Sequence, residues 1–221
     1  MPLGKFGVKE VADVRFYPAN ALKINTTTGK LEYTDKPGGG KYTKDDAVLE
    51  FTTLKVSNLE ITAETTDARG GKGNAKLLTW DHSREGTLTL EDALLDLNCL
   101  QALMGSKAGT GKNGIIDGSS NNVVTITTDS FASNYCVVGT TFAKDQTTGN
   151  DHLFTFFVPN AKVGTDLALE MSADGDPTVF NMSLTILRAS ETDNTMVALI
   201  ASDEKYTAVT GTPAIDQVIT A

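Results

Sequence analysis

The sequence predicts a mainly antiparallel β domain. Three observations predict it: about eight short runs of strand type, a single good helical stretch, and polar, glycine-rich connections between them. The helix is expected to cover an open end or face of the sheet.

Taken in order, residues 1–12 read as an extended N-terminal arm. Val14-Arg15-Phe16-Tyr17 is the first strand, broken by Pro18-Ala19-Asn20. Residues 26–47 are polar, with Thr26-Thr27-Thr28-Gly29-Lys30 and Lys36-Pro37-Gly38-Gly39-Gly40-Lys41. They read as a hairpin insertion in which Lys30-Leu31-Glu32-Tyr33-Thr34 is one limb. Strands follow over residues 48–51 and 59–64. In the second, Leu59, Ile61 and Ala63 share one face, while Glu60, Thr62 and Glu64 share the other.

Residues 64–105 hold the sole Trp, a glycine cluster and the helix. Ala68-Arg69-Gly70-Gly71-Lys72-Gly73-Asn74 reads as a flexible basic loop, because the glycines supply backbone angles other residues avoid. Lys76-Leu77-Leu78-Thr79-Trp80 is a short apolar run, and Asp81-His82-Ser83 reads as a turn. Gly86-Thr87-Leu88-Thr89-Leu90 alternates as a half-buried strand. Thr89-Leu90-Glu91-Asp92 then fits a helix-capping pattern, with two carboxylates at the positive helix end. The spacing predicts a helix over about 89–104. Leu90, Ala93, Leu94, Leu97, Leu100 and Met104 form its apolar stripe, and Gly105 is the stop.

A second glycine-rich loop occupies about 105–121. Strands are expected at 123–127, 135–138, 152–158, 166–171 and 179–187, with a turn at Ser172-Ala173-Asp174-Gly175-Asp176-Pro177. In the last of these, Phe180, Met182, Leu184 and Ile186 point one way and Asn181, Ser183 and Thr185 the other. Residues 195–200 are a final strand, and the polar tail, about 202–221, reads as a C-terminal arm. No repeat of fixed period is present. The length of 221 residues suits one domain with insertions or two small ones, and the strands read as one domain over 1–221.

The uninterrupted apolar runs are far shorter than the roughly 18–20 residues that span a bilayer. The N-terminus lacks the apolar core of a signal peptide. The expectation is a soluble chain made in the cytoplasm, with no membrane insertion. Cys99 and Cys136 lack metal or redox spacing and read as buried free thiols.

The net charge is −9, unevenly spread. Residues 1–104 carry 13 Lys+Arg against 15 Asp+Glu, a balance of −2; residues 105–221 carry 6 against 13, a balance of −7. This acidity argues against tight nucleic-acid binding, which needs Lys and Arg to neutralise phosphates. It leaves open an acidic surface that repels DNA without binding it, alongside simple solubility.

Four apparent sites fail on their chemistry. The loop Gly105-Ser106-Lys107-Ala108-Gly109-Thr110-Gly111-Lys112-Asn113 misses a phosphate-loop pattern at Ser106 and Asn113, and it follows a helix. His82 adjoins Asp81 and Ser83, but adjacency in sequence is not triad geometry, and His152 lies far along the chain. Asp174-Gly175-Asp176 is a fragment of a calcium loop without the rest of the pattern. Arg69 and Lys72 are two basic residues, suited to an exposed loop, a weak anion contact or an intersubunit ion pair. The reading is no enzyme, no metal and no cofactor.

Several blocks resemble a known family. They are Phe6-Gly7-Val8-Lys9-Glu10-Val11-Ala12-Asp13-Val14, Ala68-Arg69-Gly70-Gly71-Lys72-Gly73-Asn74-Ala75-Lys76-Leu77, Trp80-Asp81, Thr89-Leu90-Glu91-Asp92-Ala93-Leu94-Leu95, and Leu169-Glu170-Met171-Ser172-Ala173-Asp174-Gly175-Asp176-Pro177-Thr178-Val179-Phe180. Together they resemble tail tube (major tail) proteins of long-tailed bacteriophages of Gram-positive hosts. The resemblance implies an antiparallel β-sandwich or barrel with one flanking helix. It implies homohexameric rings stacked into a tube that conducts DNA into the host. It implies partners among other tail proteins: a sheath if the tail is contractile, baseplate, tape measure and terminator. Viral DNA would pass without specific binding, and the protein would reside in the virion tail. The insertion at 26–47 and the loop at 105–121 exceed what a minimal tube subunit needs. Arg69, Lys72, Trp80 and Asp81 are the candidate subunit or ring contacts. A capsid decoration or baseplate component is the alternative, and a surface adhesion or carbohydrate-binding module a more distant one.

Overall fold

A computed structural model describes residues 5–8, 13–92, 97–105, 124, 126, 128–164, 180–209 and 212–220. In chain order the strands are β1 (Phe6–Val8), β2 (Asp13–Pro18), β3 (Leu22–Ile24), β4 (Leu31–Tyr33), β5 (Leu49–Phe51), β6 (Leu54–Gly70) and β7 (Ala75–Asp92). The helix α1 (Leu97–Met104) comes next, then β8 (Asn134–Asp145), β9 (Asp151–Val163), β10 (Phe180–Ile186), β11 (Ala198–Lys205) and β12 (Ile219–Thr220). The fold is mainly β, as its sequence predicts.

Nine strands form one antiparallel sheet in the order β5-β2-β8-β9-β10-β7-β6, with β1 added to β8 and β11 to β9. A small sheet, β12-β4-β3, lies against it. The central strands β2, β8 and β9 are covered on both sides. Val14, Phe16, Tyr135, Val137 and Val158 enter one core, together with β7, β10 and α1. Tyr17, Cys136, Val138 and Phe157 enter a second core, shared with the small sheet. Double coverage explains why 135–138 is continuously apolar, whereas β10 keeps one wet face and alternates strictly.

The main sheet is rolled. Its two edge strands β5 and β6 are joined by only Thr52 and Thr53. Three Cα steps span at most ~11 Å, so the edges must come together. Thr53 Oγ1 donates to the buried Asp92 at 2.5 Å and pins this corner. No ladder links β5 to β6 among the described residues, and the barrel stays open. Helix α1 packs Cys99, Leu100, Leu103 and Met104 into the interior. Tyr135 Oη donates to the Ala102 carbonyl at 2.5 Å.

The helix is shorter than its sequence pattern predicts. Residues 89–92 belong to β7, paired on one side with β6 and on the other with β10. The capping pattern is therefore overridden by two ladders of hydrogen bonds. Leu90 is buried as a strand residue, and Leu100 and Met104 are buried on the helix; Leu97 lies on α1, and Leu94 falls outside the described residues. Gly105 does end the helix, with φ of 67°, and a Cβ there would lie 2.0 Å from the Phe131 carbonyl oxygen. The expected strand at 166–171, the turn at 172–177 and most of the 105–121 loop lie outside the described residues. The expected strand at 195–200 is displaced to Ala198–Lys205.

Two connections are built alike. Asn25-Thr-Thr-Thr-Gly-Lys30 joins β3 to β4, and Asp145-Gln-Thr-Thr-Gly-Asn150 joins β8 to β9. In each, the leading Oδ1 accepts two N–H groups: Thr27 and Thr28 at 2.8 and 3.0 Å, Thr147 and Thr148 at 2.6 and 3.3 Å. Gly29 and Gly149 then take φ of 70° and 69°.

Residues 212–220, the described end of the C-terminal stretch, pack on the body through Ile215 and Ile219. Arg15, 2% exposed, is held between Glu50 and Asp216. Lys44, within residues 26–47, reaches Asp216 at 2.6 Å. Burial pushes the Asp216 carboxyl up, but hydrogen bonds from Arg15 and Lys44 outweigh it and hold the group below the usual range.

Candidate assembly interface

The most unusual feature of the chain is a two-stranded ribbon. β10 pairs with β7 only over residues 86–92. Beyond that ladder β7 continues with β6 alone, through Thr62↔Glu85 to Gly70↔Ala75. At about 3.3 Å per residue, the free part is roughly 35 Å long. Residues 61–66 and 71–85 are exposed, and no residue from 62 to 85 belongs to either core.

The ribbon corrects the expected layout of this stretch. Ala68, Arg69 and Gly70 continue β6, so the flexible loop shrinks to a tight tip at Gly71–Asn74. Gly71, Gly73 and Asn74 supply φ of 77°, 89° and 53°, and Asn74 N–H donates to the Gly71 carbonyl at 3.2 Å. Asp81, His82 and Ser83 are not a turn but part of β7. Ser83, with φ of 51°, is an extra residue that shifts the register between Ala63↔Arg84 and Glu64↔His82. Leu77 is a second extra residue, between Ala68↔Leu78 and Arg69↔Lys76.

These bulges decide what each face carries. A strand alternates its side chains with period two, and one extra residue reverses the phase. After Ser83, Trp80 and Leu78 therefore lie on the face opposite Leu88 and Leu90. They share it with Thr66 and Ala68 on β6, and Leu77 reaches the same side over Gly70. Trp80, Leu78 and Leu77 are 54%, 60% and 63% exposed. Nearer the body this face becomes acidic, with Glu64, Glu85 and Glu60; Glu64 lies 3.6 Å from His82.

The other face is polar and internally paired. Asp67 accepts from Lys76 at 2.7 Å, Thr79 at 2.9 Å and Arg69 at 3.2 Å. The Lys76 bond leads in holding the Asp67 carboxyl below its usual range, against desolvation, with Thr79 and Arg69 adding to it. Arg69 is thus tied to its own ribbon in this chain. Lys72 sits at the tip and Asp81 on the polar face beside Thr65. All four sequence-based contact candidates come together on this one element. The residues missed were Leu77 and Leu78: their apolar character is plain in 76–80, but a bulge, invisible in the pattern, is what aims them outward.

No catalytic arrangement accompanies the ribbon among the described residues. His82 lies on the ribbon, and His152 on β9 sits 3.1 Å from the Ser202 carbonyl. No cluster of three His, Cys, Asp or Glu fit to hold a metal is present among the described residues. Cys99 and Cys136 are buried and unlinked, and burial pushes the Cys136 thiol up. Among the described residues no helix is long and apolar enough to cross a membrane.

A rolled antiparallel body with a projecting two-stranded ribbon, apolar on one outer face, defines a mainly β protein. The chain belongs to the YomU/Tube protein family, which it matches over residues 41–118 and 116–200. A search of the curated proteins finds no match. Among solved structures the chain is similar to one described as "Cryo-EM structure of the anti-feeding prophage (AFP) baseplate, 6-fold symmetrised". The identity is 12% and the TM-score 0.42, over 90% of this chain and 97% of that chain.

Proposed function

We propose that this protein is a structural subunit of a phage tail tube, which self-assembles into stacked hexameric rings that conduct the genome into the host. The observation that carries the reading is the ribbon: an arm with one open apolar face, on a chain of the YomU/Tube family. A two-stranded hairpin is marginal in water by itself. A neighbouring copy that covers it supplies the missing third layer. Contact between an arm and a different surface of the next copy is heterologous, and it closes into a ring when the rotation closes.

In this reading Arg69, Lys72, Trp80 and Asp81 serve subunit or ring contacts. Leu90 on β7 and Leu100 and Met104 on α1 hold sheet and helix together in the body. The acidic balance suits a conduit along which DNA slides without adhering. The subunit works without catalysis or cofactor, and other tail proteins cap and extend the tube within the virion.

Electron microscopy of the purified protein tests this. Hollow tubes or six-fold rings are expected. A strictly monomeric protein at high concentration, even with tube-nucleating partners present, overturns the proposal. Binding to purified capsids in place of tube formation would mark a decoration protein.

A further inference from the structure

We infer that Ser83 is a positioning residue for assembly: the bulge it forms inverts the strand phase over residues 78–82 and brings Trp80 and Leu78 to the side of the ribbon that a second copy covers. This role rests on the self-assembly reading above and names the residue that aims its contact.

The two extra residues of β7 act as a pair. On β6 every residue from Val56 to Gly70 is matched in turn, so its odd-numbered side chains keep the side of Leu59 and its even-numbered ones the open side. Arg84, Gly86, Leu88 and Leu90 stand opposite odd-numbered β6 residues at the base, and so does Lys76 at the tip. Base and tip of β7 therefore share one phase. Between the bulges the phase is reversed: His82, Trp80 and Leu78 stand opposite Glu64, Thr66 and Ala68 on the open side. A ladder without bulges would put Ser83, Asp81 and Thr79 on that side, all polar, and Trp80 opposite Asp67. The inversion exchanges the two sets. Thr79 reaches Asp67 at 2.9 Å on the polar face, and Trp80 and Leu78 stand open.

Of the two extra residues only Ser83 takes a positive φ, 51°. Its backbone favours Gly or Asn and resists β-branched side chains, a demand that the Leu77 bulge does not make. No residue from 62 to 85 belongs to either core, so packing of the body does not hold this bulge in place.

The test uses the full chain and two readouts. Cross-strand NMR contacts below the assembly concentration report the pairing, and sedimentation reports self-association. Ser83→Gly and Ser83→Asn accept the same backbone. Both are expected to keep Trp80 opposite Thr66 and to assemble as the native chain does. Ser83→Val is expected to lose the bulge and to bring Trp80 opposite Asp67. It should raise the concentration needed for assembly by about tenfold or more, as for loss of a central aromatic contact. A second variant carries one extra threonine between Ala63 and Glu64. The insertion gives Ser83 a partner, keeps Trp80 opposite Thr66 and turns the outer ribbon over, so the same loss of assembly is expected with the pairing intact. Ser83→Val that keeps the Thr66 pairing would overturn the role of Ser83, as would loss of assembly in Ser83→Gly. Undiminished assembly in the inserted variant, or in Ser83→Val with Trp80 opposite Asp67, would also overturn it and leave the tube reading intact. Absence of any assembly of the native chain at high concentration, with tube-nucleating partners present, overturns both.

Discussion

At the scale of single residues, Arg15 is the most consequential position outside the ribbon. Its guanidinium is buried, and its charge is balanced by Glu50 from the neighbouring strand and Asp216 from the C-terminal segment. Removing one partner of a buried charge leaves the other uncompensated. Asp216→Asn is expected to cost about 1.5–3 kcal/mol, the range for hydrogen bonds to charged groups, measured by denaturant unfolding. The pH dependence has a definite sign. The folded-state pKa of Asp216 lies below its ordinary value, so its stabilisation is present above roughly pH 4 and is lost as pH falls through the lower folded value. Hydrogen-exchange protection of residues 212–220, measured relative to the intrinsic rate at each pH, should fall in that acid range in the native chain. In Asp216→Asn the protection should already be low at neutral pH. The paired turns at Asn25 and Asp145 share one local device, an Asx residue three places ahead of Thr-Gly whose Oδ1 accepts the same two N–H bonds in both.

At the scale of elements, the ribbon separates assembly from folding. Its outer part touches neither core, so its loss should not unfold the body. Deleting residues 66–80 and joining Thr65 to Asp81, which are cross-strand partners, through Asn-Gly preserves the register. The shortened chain is expected to keep its stability within about 0.5 kcal/mol, as for changes away from packed features. It should lose self-association by light scattering and size-exclusion chromatography. Large destabilisation would mean that the ribbon supports the body it leaves. The helix illustrates the opposite relation between local signal and outcome. Thr89-Leu90-Glu91-Asp92 has good capping chemistry, yet it stays in β7 because neighbours on both sides satisfy its backbone.

At the scale of the whole molecule, the order of protection follows the layers. β2, β8 and β9 are buried from two sides, while the ribbon has one hydrogen-bonded partner and no cover. Native-state hydrogen exchange should therefore be slowest in β2, β8 and β9 and fastest in residues 62–85. In assembled material the ribbon amides should slow selectively and the central strands should change little. Uniform slowing across the chain would point to aggregation instead of ribbon-mediated contact. The rolled sheet adds a second whole-molecule property. Its edge strands β5 and β6 meet at the Thr52–Thr53 connection, and among the described residues no ladder pairs them.

Local chemistry was sufficient for the fold class, for most strands, for the burial of both cysteines and for the stop at Gly105. Each depends on period-two patterning, composition or one backbone angle, and these are written within a few residues. Tertiary structure alone decided the rest. It drew β7 into an 18-residue strand from a run, an expected turn, a second run and an expected cap, because pairing with β6 along its whole length and with the distant β10 over 86–92 satisfies its backbone throughout. It also placed two extra residues, Ser83 and Leu77, whose bulges turn Trp80, Leu78 and Leu77 away from the core side. A bulge is defined by what the opposite strand lacks, so only the pairing of the two strands could reveal which way the arm presents its apolar face.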